Sequence, residues 1–203
     1  ASRSKPNPGT SVPRLSPRAG KKRNPDQTRR RLLQAAARVF DREGYFATDT
    51  NRIAKRAGYA PASFYKHFRD KRAIFLAAYD DWVADEWHAL GSLGARPQAS
   101  AVVAAVLDHH KKWAGFRASV VALSAIDPDV RAARTRRRKR QVGRLHQQLS
   151  VGKKPPSLAQ LVALVLTFER LCDAVAWKEA QALGLSERAV RTTLAAQLAV
   201  FLE

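Results

Sequence analysis

The chain has 203 residues, enough for one or two domains around a real hydrophobic core. Its 37 Lys and Arg against 17 Asp and Glu give a formal charge of +20, which calls for an anionic partner: nucleic acid, an anionic membrane surface or an acidic protein. A single cysteine, Cys172, excludes an internal disulfide framework, and no apolar run approaches the ~18–20 residues of a membrane span. The basic N-terminus has no apolar stretch behind it and does not read as a secretory signal, so the expectation is a cytoplasmic protein without a membrane partner.

The charge is unevenly placed. Residues 1–24 carry seven basic and no acidic side chains, residues 25–70 ten against five, and the rest 20 against 12, with seven of those basic residues inside Arg131–Arg140. In chain order, residues 1–23 are rich in Pro, Ser, Gly, Lys and Arg without apolar periodicity, and read as a flexible basic arm. Asn24-Pro25-Asp26-Gln27 has the form of a helix start, and Leu32, Leu33, Ala36, Val39 and Phe40 then keep a helical stripe until Gly44. Thr48-Asp49 offers the next cap, with Ile53 and Ala57 as buried face before Gly58. A short helix follows from about Pro61 to His67. Asp70 caps a longer one through Ile74, Phe75, Ala78 and Trp82.

Beyond Gly94 the pattern stays helical. Amphipathic stretches cover about Ser100–Trp113 and Arg117–Ala125, and Asp127-Pro128 starts a helix that runs through the arginine run to about Ser150. Ser157 with Gln160 forms a capping box for one long helix reaching Gly184, and Ser186 caps the last. No segment shows strand alternation, so the expected fold is all-α.

The stretch from Thr48 to Lys71 has helix-turn-helix proportions: a short capped helix, a turn opened by Gly58 and a second short helix suited to the major groove. Gly58 suits a turn that needs positive φ, Ala54 allows a close crossing, and Ile53, Phe64 and Phe68 would pin both helices to the first. Spacing alone is equally compatible with a helical hairpin that never meets DNA. The residues Gly44-Tyr45-Phe46-Ala47-Thr48, Ile53-Ala54, Ala57-Gly58, Phe64-Tyr65-Lys66-His67-Phe68 and Asp70-Lys71, however, resemble the signature of TetR-type bacterial repressors over about 45 residues.

That resemblance implies a three-helix DNA-binding domain at 24–70 and a helical ligand-binding and dimerising domain at 71–203. It also implies operator double-stranded DNA as partner, a homodimer and a small-molecule ligand that releases the DNA. By the same resemblance Thr48, Tyr65 and Lys71 would meet phosphates, while Ala60, Pro61, Ala62, Ser63 and Lys66 would face bases, with Arg52, Tyr59 and His67 beside them. Ala60 stands where a Ser or Thr cap is common in the family, leaving Pro61 to start the recognition helix. The few donors there shift readout toward Ser63, Lys66, Tyr59 and contacts with thymine methyls.

The helix from Ser157 is apolar on nearly all sides at first, which suits burial against both its own domain and a second copy through the last two helices. Leu161 and Leu198 are candidate contact positions. A cavity among the fourth, fifth, seventh and eighth helices would draw its walls from Trp82, Trp87, Trp113, Phe116, Phe168, Cys172 and Trp177, with Glu169, Asp173 and His109 or His110 as polar anchors. Glu169 and Asp173 lie one turn apart on an apolar helix and could instead pair with arginines. Arg131–Arg140 reads first as a solvated face, second as an auxiliary DNA contact or an anion site. No catalytic, metal or cofactor motif emerges, so the expectation is not an enzyme; a DNA-organising or partner-binding protein without ligand is the competing reading.

Overall fold

The computed structural model describes residues 24–149 and 155–202; the basic arm expected at 1–23 lies outside the described residues. Ten helices and no strand occur among them: α1 Pro25–Glu43, α2 Thr50–Arg56, α3 Pro61–Tyr65, α4 Lys71–Gly91, α5 Ala99–Lys112, α6 Ala114–Ile126, α7 Pro128–Leu149, α8 Leu158–Ala176, α9 Glu179–Ala182 and α10 Glu187–Leu202. None of these helices is long and apolar enough to cross a membrane.

Local chemistry fixes most boundaries. Side-chain oxygens of Asn24, Asp49, Asp70, Ser157 and Ser186 accept from free N–H groups in the first turns of α1, α2, α4, α8 and α10. Asp127 Oδ1 accepts from both Asp129 and Val130 at the start of α7, and these bonds hold its carboxyl below the usual range. Ser157 and Gln160 complete a reciprocal capping box. Gly58 takes φ +78° in the turn between α2 and α3, a conformation that penalises any Cβ.

The expected long helix to Gly184 is interrupted. It ends at Ala176, Lys178 adopts a left-handed φ of 63°, and the short α9 follows. A tertiary contact accompanies the break: the Trp177 indole N–H donates to the Ala114 carbonyl (3.1 Å), and the redirected chain buries Ala180.

The cores do not divide at residue 70. Leu32, Phe40, Ile53 and Phe64 of α1–α3, and Phe68 just beyond α3, share one cluster with Ile74, Phe75, Tyr79 and Trp82 of α4, Phe116 and Val120 of α6 and Val130 of α7. Full burial of each large side chain there contributes about 1.5–3 kcal/mol. A second cluster joins α5, α8, α9 and α10 through Val103, Leu107, Cys172, Val175, Val190 and Leu194. The α1–α6 seam is tight. Asp41 Oδ1 accepts from the N–H groups of Gly115 (3.1 Å) and Phe116 (3.0 Å), and Ser119 Oγ accepts from Tyr45 N–H (3.1 Å). A Cβ on Gly115 would stand 1.9 Å from the Asp41 carbonyl oxygen, so only glycine fits.

Candidate nucleic-acid interface and cavity

Helix α3 presents the expected face. Ala60, Pro61, Ala62, Tyr65 and Lys66 are exposed, Ser63 and His67 are half-buried beside them, and Phe64 is fully buried beneath. Ala60 makes no side-chain cap, and Pro61 occupies the first helical position in its place. The Tyr65 hydroxyl lies 2.9 Å from Thr50 Oγ1, tying the two motif helices together at the surface. Arg52 is exposed and its Nε is 2.6 Å from Glu43, while Tyr59 packs partly against the core.

Thr48 and Lys71 are placed differently from the expected phosphate contacts. Thr48 is buried and its hydroxyl donates to the Gly44 carbonyl (2.8 Å); the cap of α2 is Asp49. Lys71 Nζ donates to the carbonyls of Tyr45 (2.9 Å) and Thr48 (2.7 Å) and lies 4.3 Å from the Tyr45 ring centroid. Its pKa is lowered by burial, against the opposing charge of Asp49. Lys71 thus locks the α1–α2 loop to the first turn of α4 and keeps at most one N–H for an outside acceptor.

A cavity of about 90 Å³ lies among α4, α5, α7 and α8. Trp82, Trp87, Phe168, Glu169 and His110 line it as the sequence suggests, together with Leu90, Val106 and Leu164. The remaining expected wall residues lie elsewhere. Phe116 is sealed in the first core, and with Trp113 it borders a separate surface hollow between α1 and α4. Cys172 is fully buried in the second core, where burial pushes its thiol up to about 12. Asp173 sits behind His110, Trp177 is committed to Ala114, and His109 bonds the Trp82 carbonyl (3.0 Å).

The inner end of the cavity rests on a buried charge network. Arg117, 1% exposed, donates from Nε to Asp173 Oδ1 (3.0 Å) and from a terminal nitrogen to Oδ2 (2.6 Å). His110 Nδ1 is 2.9 Å from the same Asp173 Oδ1, and its Nε2 faces Glu86 at 3.6 Å. Burial opposes ionisation of Asp173, yet its bonds to His110 and Arg117 hold it at about 2. Glu169 is likewise held at about 2 despite burial, by a hydrogen bond from Arg138 and the charges of Arg117, Arg138 and Arg134. Desolvation works against the His110 cation, but the Asp173 and Glu86 carboxylates outweigh it and raise its pKa. Glu169 and Asp173 therefore do pair with arginines, and no local pattern around Arg117 marks it as their partner.

Arg134, Arg137 and Arg138 of the basic run turn inward. Arg137 is buried, with Nε on Asp80 (2.6 Å), a terminal nitrogen on the Leu76 carbonyl (2.9 Å) and its guanidinium over Tyr79. The apolar stripe of Val130, Ala133 and Val142 passes through position 137, a periodicity that could have marked it as inward-facing. Among the described residues, no group of three or more His, Cys, Asp and Glu could hold a metal ion.

Residues 32–78 match the description "Bacterial regulatory proteins, tetR family". That match runs from α1 through α2 and α3 into α4, the helix-turn-helix end of the chain. The stretch it matches in the HTH-type transcriptional regulator YdgC of Bacillus subtilis (strain 168) is 39% identical over 56 residues, 28% of this chain and 29% of that relative's length. A proposed TetR-family transcriptional regulator from Rhodococcus sp. has the same fold with a TM-score of 0.73 at 17% identity, covering 88% of this chain and all of its own. SCO4454, a TetR-family transcriptional regulator from Streptomyces coelicolor, aligns with a TM-score of 0.64 at 22% identity, covering 87% of this chain and 95% of its own. The family match thus concerns the helix-turn-helix end, whereas the likeness of fold to these two solved structures extends over nearly the whole chain.

Proposed function

We propose that the chain is a DNA-binding transcriptional regulator that represses from a double-stranded operator as a homodimer and is released by a small, largely apolar ligand. The observation that carries this reading is the double membership of α4. Lys71 at its start fixes the loop before α2, and Tyr79 and Trp82 belong to the core that seats Phe64 of the recognition helix. The same Tyr79 and Trp82 line the cavity. A ligand that moves α4 therefore moves α2 and α3 with it, which is the physical connection allostery requires.

In this reading Ala60, Pro61, Ala62, Ser63 and Lys66 face base edges, Tyr65 reaches the backbone, and Arg52, Tyr59 and His67 flank them. The domain division would be functional rather than a break in packing, with α1–α3 reading DNA and α4–α10 sensing and dimerising. Dimerisation is supported by the stripe Leu158, Val162 and Leu166 along α8, exposed at 67%, 38% and 42%, and by exposed Val200 on α10. Leu161 and Leu198 are buried within the single chain, so they face inward.

The test is a thermal-shift screen of small apolar compounds, followed by operator affinity with each hit. Hits should weaken DNA binding about 5–150-fold, the span of ~1–3 kcal/mol of coupling. Compounds that bind tightly yet leave operator affinity unchanged count against release by ligand.

A further inference from the structure

Two arginines of α7 that do not turn inward, Arg140 and Arg144, share a position. A second hollow, of about 460 Å³, lies beside the cavity and shares Val83, Trp87, Arg137 and Gln141 with it. Its own wall adds Arg140, Arg144 and His88 against a single acid, Asp80. That acid is already engaged: Arg137 Nε lies 2.6 Å from it, whereas Arg140 comes no closer than 3.8 Å. The Arg144 guanidinium stands 5.2 Å over the Trp87 ring and has no ion pair among the described residues. Two guanidiniums with unfilled donors therefore flank the outer hollow, one of them braced on an aromatic that also walls the cavity.

The cavity itself has a different character. Glu86 and Glu169 line it together with Arg137, Arg138 and His110, and the rest of its wall is largely apolar, with Leu90, Val106, Leu164 and Phe168. Glu169 is saturated by Arg138 and Arg134, and Glu86 faces His110. The cations that line the cavity are already committed, Arg137 to Asp80, Arg138 to Glu169 and His110 to Asp173, so a carboxylate is better served by Arg140 and Arg144, whose planar forks match it and keep unfilled donors. An apolar group is better served by the cavity's largely apolar wall.

We propose that the ligand is a small amphipathic carboxylate, its apolar chain or ring in the inner cavity and its carboxylate at Arg140 and Arg144. The proposal rests on the effector reading of the cavity and gives it a ligand class. Arg140, the last residue of the basic run, thereby becomes a recognition element together with Arg144.

The experiment compares hexanoate, hexylamine and hexanol, which share an apolar chain and differ in head-group charge, by calorimetry on the full chain without DNA. Hexanoate should bind tightest, and its affinity alone should fall as salt rises, because exposed charges are screened. The double variant R140Q/R144Q, which alters only exposed side chains, should bind hexanoate about ten-fold more weakly and hexanol as before, since exposed pairs give up to about five-fold each. Hexylamine or hexanol binding as tightly as hexanoate overturns the proposal. So does a salt-independent hexanoate affinity in the wild type, or no binding of any of the three. If hexanoate binds as described but leaves operator affinity unchanged, the ligand class stands and the release mechanism falls.

Discussion

Replacing Arg117 by Met should be among the most damaging single changes in the molecule. Both Arg117 bonds to Asp173 are lost, and Asp173, 3% exposed, keeps only His110 as a partner. Burial of a stranded carboxylate, rather than loss of attraction, dominates the cost, which for one partner of a buried pair is about 3–5 kcal/mol. For a chain of this size each kcal/mol lowers Tm by about 2–4 °C, so R117M should melt roughly 6–20 °C below wild type. Adding Asp173→Asn removes the stranded charge and should recover part of that loss. Arg170→Ala, which breaks the exposed pair with Glu179, should cost no more than about 1 kcal/mol. Chemical denaturation and calorimetry on the four proteins decide it. If R117M is as mild as R170A, or the added Asn makes it worse, the account of the buried network is wrong.

Gly115→Ala places a Cβ against the Asp41 carbonyl and should force α1 from α6, destabilising by about 1–3 kcal/mol and weakening operator binding; denaturant melts and DNA titrations read both. Val162→Asp, at a side chain exposed in the single chain, should convert the proposed dimer to a folded monomer by sedimentation, whereas Leu161→Asp should unfold the chain. Because His110 has a raised folded pKa, its contribution is fully present below its usual 6.5 and is lost as pH rises through the folded value. Wild-type stability should therefore decline on the alkaline side of 6.5, and His110→Gln should flatten that decline in melts taken from pH 6 to 9.

What was legible in the sequence is what neighbouring residues settle among themselves. Asn24, Asp49, Asp70, Asp127, Ser157 and Ser186 announce helix starts because a cap needs only the next two or three N–H groups. Gly58 announces its turn because φ +78° excludes a Cβ. The arrangement of Phe64 under an exposed α3 follows from helical periodicity. Less legible were features that depend on distant partners. Arg117 lies 56 residues from Asp173, and a lone arginine in an apolar stretch carries no mark of its partner. The break at Lys178 accompanies an indole reaching Ala114, 63 residues away. The Arg131–Arg140 run concealed its division because charge alone does not show which face of a helix is covered. Thr48 and Lys71 match the family pattern by position, yet the structure shows both hydrogen-bonding carbonyls of their own chain.

The salt dependence of DNA binding tests the central claim most directly. Once a preferred site is mapped across the parent genome, affinities for that site and for scrambled DNA should be measured at several salt concentrations for wild type, Lys66→Ala and Ser63→Ala. Wild type should show a steep slope on both DNAs, about 0.9 log unit per log of salt for each phosphate neutralised. Ser63→Ala should leave the slope unchanged and lower the preference for the mapped site by ~1–3 kcal/mol at the affected base pair. Lys66→Ala should change slope, preference or both, according to whether its ammonium meets a phosphate or a base. A wild-type affinity that is salt-independent and equal on both DNAs, with neither variant altering it, would contradict the placement of α3 in the groove.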